Sequence, residues 1–379
     1  MKTEFLSPLL GSLSLSLAAF ALPASGAPTV YEMRLTTSGG MGAGGGMAAM
    51  FGAMTGGSSV TRSMHLQLTS PSDIPAGYDA NHTVPDVMRI GPQLPLRGER
   101  RSGSGGSAAG DEREPDGRVL IYWGCSATVP KGQPEVIDFR ALAGKVPPEI
   151  MGMARQSRSQ GKSTGGETSL PPRSILWPSG DRDFKGIPAE ASAVGEHLVK
   201  ASFMKDDIRY SVAPALDFLE PMNLKARSEN LKAAIPLGWD GLTRARGWDL
   251  QAFGAIGEKE MVIWMAARNK SPMLPASQRE CTIPEGIFAK SEMAMLSGVA
   301  HGPVQGFSYP PQPPGEKKLP LIWSATVRVM GYDSVILGMP AGESPRGRAE
   351  PASAPAGESA ADALLPAGVG NALKGIFGR

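Results

Sequence analysis

The sequence predicts a mainly β protein, with a β-sandwich in its C-terminal half and a smaller β-rich region before it. Three observations point there. Four of the six tryptophans end short aliphatic runs: Leu120-Ile121-Tyr122-Trp123, Ile175-Leu176-Trp177, Val262-Ile263-Trp264 and Leu321-Ile322-Trp323. Short runs of β-branched and aromatic residues, fenced by Gly and Pro, mark buried strands. Other stretches alternate apolar with polar residues at the period of a half-buried strand. Helical periodicity is scarce, confined to a turn or two between residues 219 and 234.

Taken in order, the chain opens with Lys2, an apolar stretch from Leu6 to Leu22, and the small residues Ala24-Ser25-Gly26-Ala27. This is the pattern of a removable export signal over residues 1–27, with cleavage after Gly26 or Ala27 left open. No later stretch is long and apolar enough to span a bilayer. The expected destination is the periplasm or the cell exterior. Residues 28–153 form the N-terminal β-rich region. Tyr31, Met33 and Leu35 share one face of a first strand. Residues 39–59 are a Gly/Met-rich insert whose glycines disfavour any fixed element. Met64, Leu66 and Leu68 alternate with His65, Gln67 and Thr69 in a second strand. Val84 to Leu96 is extended and punctuated by proline. Residues 97–116 are a charged, Gly/Ser-rich loop. Strands follow at Val119–Trp123 and Val136–Phe139, then a helical turn at Pro147–Met153. Residues 154–172 lack periodicity and read as a linker.

The half from 173 to 340 carries denser strand signals. Ile208, Tyr210 and Val212 share a face opposite Arg209 and Ser211. Ile235, Leu237 and Trp239 share another, and Trp248, Leu250 and Ala252 a third. Met261 to Met265 is continuously apolar. Leu321–Trp323, Ala325–Met330 and Ser334–Leu337 close the set. Several short strands separated by turn signals are the pattern of a sandwich. Residues 341–379 are rich in Pro, Ala and Gly and read as a disordered tail, with at most a short helix over 360–377.

The segment Leu237-Gly238-Trp239-Asp240 through Arg246-Gly247-Trp248-Asp249-Leu250, then Val262-Ile263-Trp264, resembles the centre of a fibronectin type III or related immunoglobulin-like module. The resemblance implies an immunoglobulin-like sandwich in which Trp239 and Trp248 pack on one another. More loosely, the chain is similar to uncharacterised exported proteins of Gram-negative bacteria, which combine a signal peptide, a Gly/Met-rich segment and a strand like Leu120–Cys125. That class implies no activity.

Composition narrows the function. Lys and Arg number 38 against 36 Asp and Glu. This balance argues against nucleic acid as a partner. Cys125 and Cys281 are the two cysteines. Export permits a disulfide, but their spacing leaves open whether they pair. His65, His82, His197 and His301 are the histidines, and none stands in a metal-ligand or catalytic motif. They are expected at the surface, and no catalytic constellation or cofactor is expected. Methionine is the compositional oddity. Met47, Met50, Met54 and Met64, followed by His65, offer soft ligands suited to Cu(I), against the alternative of a low-complexity loop covering apolar surface. The repeated Gly-Trp-Asp suggests sugar stacking, but strand alternation puts Trp239 and Trp248 in the core. The expectation is an exported, non-enzymatic envelope protein for interaction or scaffolding, with an envelope protein or glycan as partner. Cu(I) binding, glycan binding and an unrecognised hydrolase are its alternatives.

Overall fold

The computed structural model describes residues 27–40, 60–98, 117–139, 141, 173–180, 183, 185–257, 259–268, 273–312 and 319–338. All but the last residue of the export signal, most of the Gly/Met-rich insert and of the charged loop, the turn at 147–153, the linker and the tail lie outside them. In chain order the strands are β1 (Thr29–Ser38), β2 (Thr61–Thr69), β3 (Ala80–Thr83), β4 (Gln93–Pro95), β5 (Arg118–Trp123), β6 (Glu135–Asp138) and β7 (Ser174–Trp177). There follow β8 (Gly195–Ala201), β9 (Ile208–Val212), β10 (Lys225–Ala226), β11 (Ile235–Gly238), β12 (Gly247–Ile256), β13 (Glu260–Met265), β14 (Leu274–Pro275), β15 (Glu280–Ile283), β16 (Ala294–Tyr309) and β17 (Trp323–Leu337). The described residues are mainly β. They hold no α-helix, only short 3-10 turns such as Pro214–Leu216.

A large sheet runs in the order β6-β5-β13-β12-β16-β17-β1-β2-β7, with β14 added beside β12. Two smaller sheets, β4-β3-β8-β9 and β10-β11-β15, pack on one face of it. The register explains which face is buried. Tyr31 lies opposite Leu68 of β2 and Ala325 of β17, and Met33 opposite Leu66 and Val327. All six side chains are buried. Side chains alternate along a strand, so Glu32, Arg34, Gln67 and His65 take the other face. At the far end Trp248, Leu250, Val262 and Trp264 continue the same core under the smaller β10-β11-β15 sheet. A second small cluster on the opposite face joins Val119, Phe139 and Met261.

This topology corrects the expected division at 154–172. β1, from the N-terminal region, pairs in parallel with β17 over ten positions from Thr29↔Trp323 to Ser38↔Tyr332. β5 pairs in parallel with β13. Strands from both sides of the expected linker therefore share one sheet and one core, and 173–340 is not a self-contained unit. The physical reason is that β13 and β17 each have an edge that a strand of the first half fills, β5 and β1 respectively. β16 is a further departure. Gly298, Gly302, Pro303 and Gly306 break its alternation, so the sequence gives no strand signal there. Yet it is sixteen residues long and pairs with β17 through a bulge between His301 and Val304.

Glycine is required at one sheet end. Gly40 has φ of 62° and lies so close to β17 that a Cβ would fall 2.2 Å from the Ser334 carbonyl oxygen. Only a residue without a Cβ lets the chain leave β1 past that backbone.

Candidate functional site

The sequence-derived candidates scatter when placed in the fold. Met64 and His65 are adjacent on β2, so they point to opposite faces: Met64 is buried in the core and His65 is exposed. They cannot converge on one ion, which corrects that part of the copper reading. Met47, Met50 and Met54 lie outside the described residues. Trp239 and Trp248 are both buried, with ring centroids 5.8 Å apart, and neither offers a face to a sugar. Cys125 and Cys281 form a disulfide. It ties the end of β5, in the large sheet, to β15 in a smaller one. Two backbone bonds run beside it, Ser126 N–H to the Thr282 carbonyl at 3.1 Å and Glu285 N–H to the Ala127 carbonyl at 2.9 Å.

Two of the four histidines overturn their surface assignment. His82 is not in a loop but on β3, and His197 is on β8; both are fully buried between the sheets. They form a directed chain with Tyr31. The Ala193 carbonyl can only accept, so His197 Nε2–H donates to it at 2.8 Å. Neutral His197 then accepts at Nδ1 from His82 Nε2–H, again at 2.8 Å. His82 Nδ1 in turn accepts from the Tyr31 hydroxyl. Tyr210 stacks on His197 with planes 5° apart, and its hydroxyl reaches the Met33 sulfur at 3.5 Å. Burial first, and then the neighbouring His197, holds His82 well below the ordinary histidine range. Burial also lowers His197, against an opposing pull from its bond to Ala193. Both rings are therefore neutral at pH 7. The alternation on β3 and β8 carries this placement, but β3 is only four residues long, too short for its period to be read.

His301 makes a different contact. Its Nε2 lies 2.7 Å from Asp249 Oδ2 across β16 and β12, half exposed. Such a pair orients an imidazole, but a nucleophile is also needed for acyl transfer. Among the described residues no serine or threonine hydroxyl bonds to this ring.

One concave feature among the described residues is a groove of about 190 Å³ at the end of the large sheet where β1 and β17 begin. Thr29, Ser70 and Ser72 line one wall, and Phe203, Met204, Ile322 and Trp323 supply apolar surface. Lys205 and Asp206 also line it. Register explains why the groove opens here. Thr29, Trp323 and Tyr309 form one row across the sheet. The next row inward is Tyr31, Ala325 and Phe307, which is covered by Tyr210 and the histidine chain. One row separates the sealed core from the opening. Ile322 (46% exposed) lines the groove and Tyr309 (47%) stands beside Trp323 in the outer row, and both present apolar surface to solvent. The Tyr309 ring is braced on Trp323 at 6.2 Å. No helix among the described residues is long and apolar enough to cross a membrane. No protein-family model matches the chain, and no curated protein matches it.

Proposed function

We propose that the chain is an exported, non-catalytic interaction protein of the cell envelope, and that it meets a partner protein at the end of the large sheet where β1 and β17 begin. The observation that carries this reading is the gathering of exposed apolar side chains there. Ile322 lines the groove, Tyr309 stacks on its Trp323, and Leu319 lies three residues before Ile322; these are three of the eight large exposed hydrophobics of the described residues, around a groove sized for one side chain. Exposed apolar surface at one place, rimmed by polar groups, is the signature of a contact site. The partner's contribution is an aliphatic or aromatic side chain seated between Phe203, Met204 and Ile322, with the Thr29, Ser70 and Ser72 hydroxyls for its backbone. A protein is preferred to a glycan, because the Trp323 ring is covered and aliphatic Ile322 shares the exposed surface with Tyr309. Export is supported by the N-terminal signal pattern and by the Cys125–Cys281 bond, since disulfides persist in oxidising compartments. The Trp239–Trp248 contact supports the finer immunoglobulin-like reading of the strands around it, a fold type that binds through its ends.

The test is site-specific photocrosslinking in intact cells, with the reactive residue at Ile322 or, as control, at Val136 on β6. Defined envelope proteins crosslinked from Ile322 and not from Val136 support the reading. Equal yields from both sites, or none from Ile322, overturn it. The mass of the chain recovered from the periplasm tests export: the full-length mass there would refute signal removal.

A further inference from the structure

Among the described residues, the large sheet has an unpaired edge at the end of β16. β12 pairs with β16 from Gly247↔His301 to Gly254↔Ala294 and then ends. Beyond His301, residues Val304–Tyr309 pair with β17 on one side, and no described strand pairs with them on the other. In an antiparallel strand alternate N–H and C=O groups point away from the partner, so this stretch offers a row of them to solvent. Val304 is 52% exposed and Tyr309 47%. The other outer strands are guarded. β6 carries Glu135 and Asp138, β9 carries Arg209, and β10 carries Lys225. β4 and β14 end in proline. β7 is covered by reciprocal backbone bonds between Leu176 and Arg97, and β15 by the Ser126–Ala127 segment beside the disulfide. Val304-Gln305-Gly306-Phe307-Ser308-Tyr309 has no charge and no proline, and among the described residues no such cover.

We infer that this edge is a two-fold interface between copies of the chain, in which Val304–Tyr309 of each protomer pair antiparallel and join two large sheets into one. Symmetry and chemistry both favour a second copy. A two-fold contact sets each residue near its own equivalent, so a charged edge would repel itself. This one carries none. A two-fold axis normal to the sheet keeps the faces of the sheet in register, so residues of the same parity must meet. That allows an axis at Gly306 or at Phe307. The second sets Phe307 against its equivalent and Gln305 against Tyr309. The covering layer is open on the same side: β9 is its outer strand, and Tyr210 of β9 touches Phe307 at 5.1 Å. Six residues span roughly 20 Å of edge at the strand rise, which puts the contact at the low end of specific interfaces. The dimer is therefore expected to dissociate in the micromolar range.

The experiment is sedimentation velocity on the purified full-length chain, from low to several hundred micromolar. The expected result is a reversible monomer–dimer equilibrium. Val304→Lys with Gly306→Lys should leave a monomer at every concentration with an unchanged melting temperature, since Gly306 has open space where a Cβ would stand. Val136→Lys on β6 should dimerise like the parent chain. A parent chain that is monomeric throughout, or a double-lysine variant that dimerises like the parent, overturns the inference. So does loss of the dimer in Val136→Lys. Hydrogen exchange on the parent chain gives a second readout that needs no variant. Amide protection of Val304–Tyr309 should rise with concentration, and protection that stays flat there would also overturn it.

Discussion

Removing the disulfide should cost several kcal/mol, and the magnitude follows from the chain it closes. Cys125 and Cys281 are separated by 156 residues. In the chain-entropy account, tying a loop of that length removes about 17 cal/mol/K from the unfolded ensemble, or about 5 kcal/mol at room temperature. Two things reduce the measured value. Residual structure already restricts the unfolded chain, and the neighbouring bonds from Ser126 to Thr282 and from Glu285 to Ala127 hold the two segments together without the covalent link. A loss between about 2 and 5 kcal/mol is therefore expected for Cys125→Ala with Cys281→Ala. The assay is urea unfolding followed by tryptophan fluorescence, because Trp248 and Trp264 lie in the core beside the tied strands. With a slope of about 3 kcal/mol/M, the midpoint should fall by roughly 0.7 to 1.7 M. Cys125 is exposed, so a reductant should reach the bond and give the parent chain the variant's midpoint. A variant midpoint equal to the parent's would refute the reasoning. It would mean that packing alone fixes the ends of β5 and β15, and that the unfolded chain gains no freedom when the bond is absent.

Two further outcomes follow from the interior. His82 and His197 are neutral when folded and ordinary when unfolded, so the unfolded chain binds more protons below the usual histidine pKa. Their contribution to stability is complete above about pH 6.5 and is lost as pH falls below it, at up to about 1.4 kcal/mol per pH unit for each ring. Urea midpoints measured from pH 7.5 down to pH 5 should fall steeply in the parent, and His197→Gln should flatten that slope; a parent midpoint level across the range would show that the rings protonate without penalty. On β2, Met64→Ala should cost about 2–5 kcal/mol while His65→Ala stays within about 0.5 kcal/mol, because one side chain is in the core and the other in solvent. Equal losses by thermal unfolding would contradict the assigned register.

Much of the strand content could be read in the chain, and the reason is local. Alternation along Tyr31–Leu35, Met64–Thr69 and Ile208–Val212 records which side chains face a core, and each of these is a strand of that polarity. The tryptophan-ended runs likewise mark strands or strand starts, and Trp177, Trp264 and Trp323 are buried. Trp123 departs from the pattern: it is half-buried at the surface with the Arg268 guanidinium 3.9 Å above its ring. β16 was illegible because its glycines and Pro303 erase the period that identifies a strand. Those residues are tolerated there because β17 supplies a partner along its length and Gly298 makes room for Leu250 and Met222.

Sequence by itself determined that this protein is mainly β and which face of β1, β2 and β9 is apolar, since those depend on residues a few positions apart. Only the tertiary structure decided which strands are neighbours. Parallel pairing of β1 with β17 joins residues some three hundred positions apart, and no local pattern encodes it. The same holds for the candidate site. The Tyr31–His82–His197 chain, the Cys125–Cys281 bond and the groove between Thr29, Phe203 and Trp323 each bring together groups from distant segments. Their chemistry is a property of the packing, and no single residue read alone announces it.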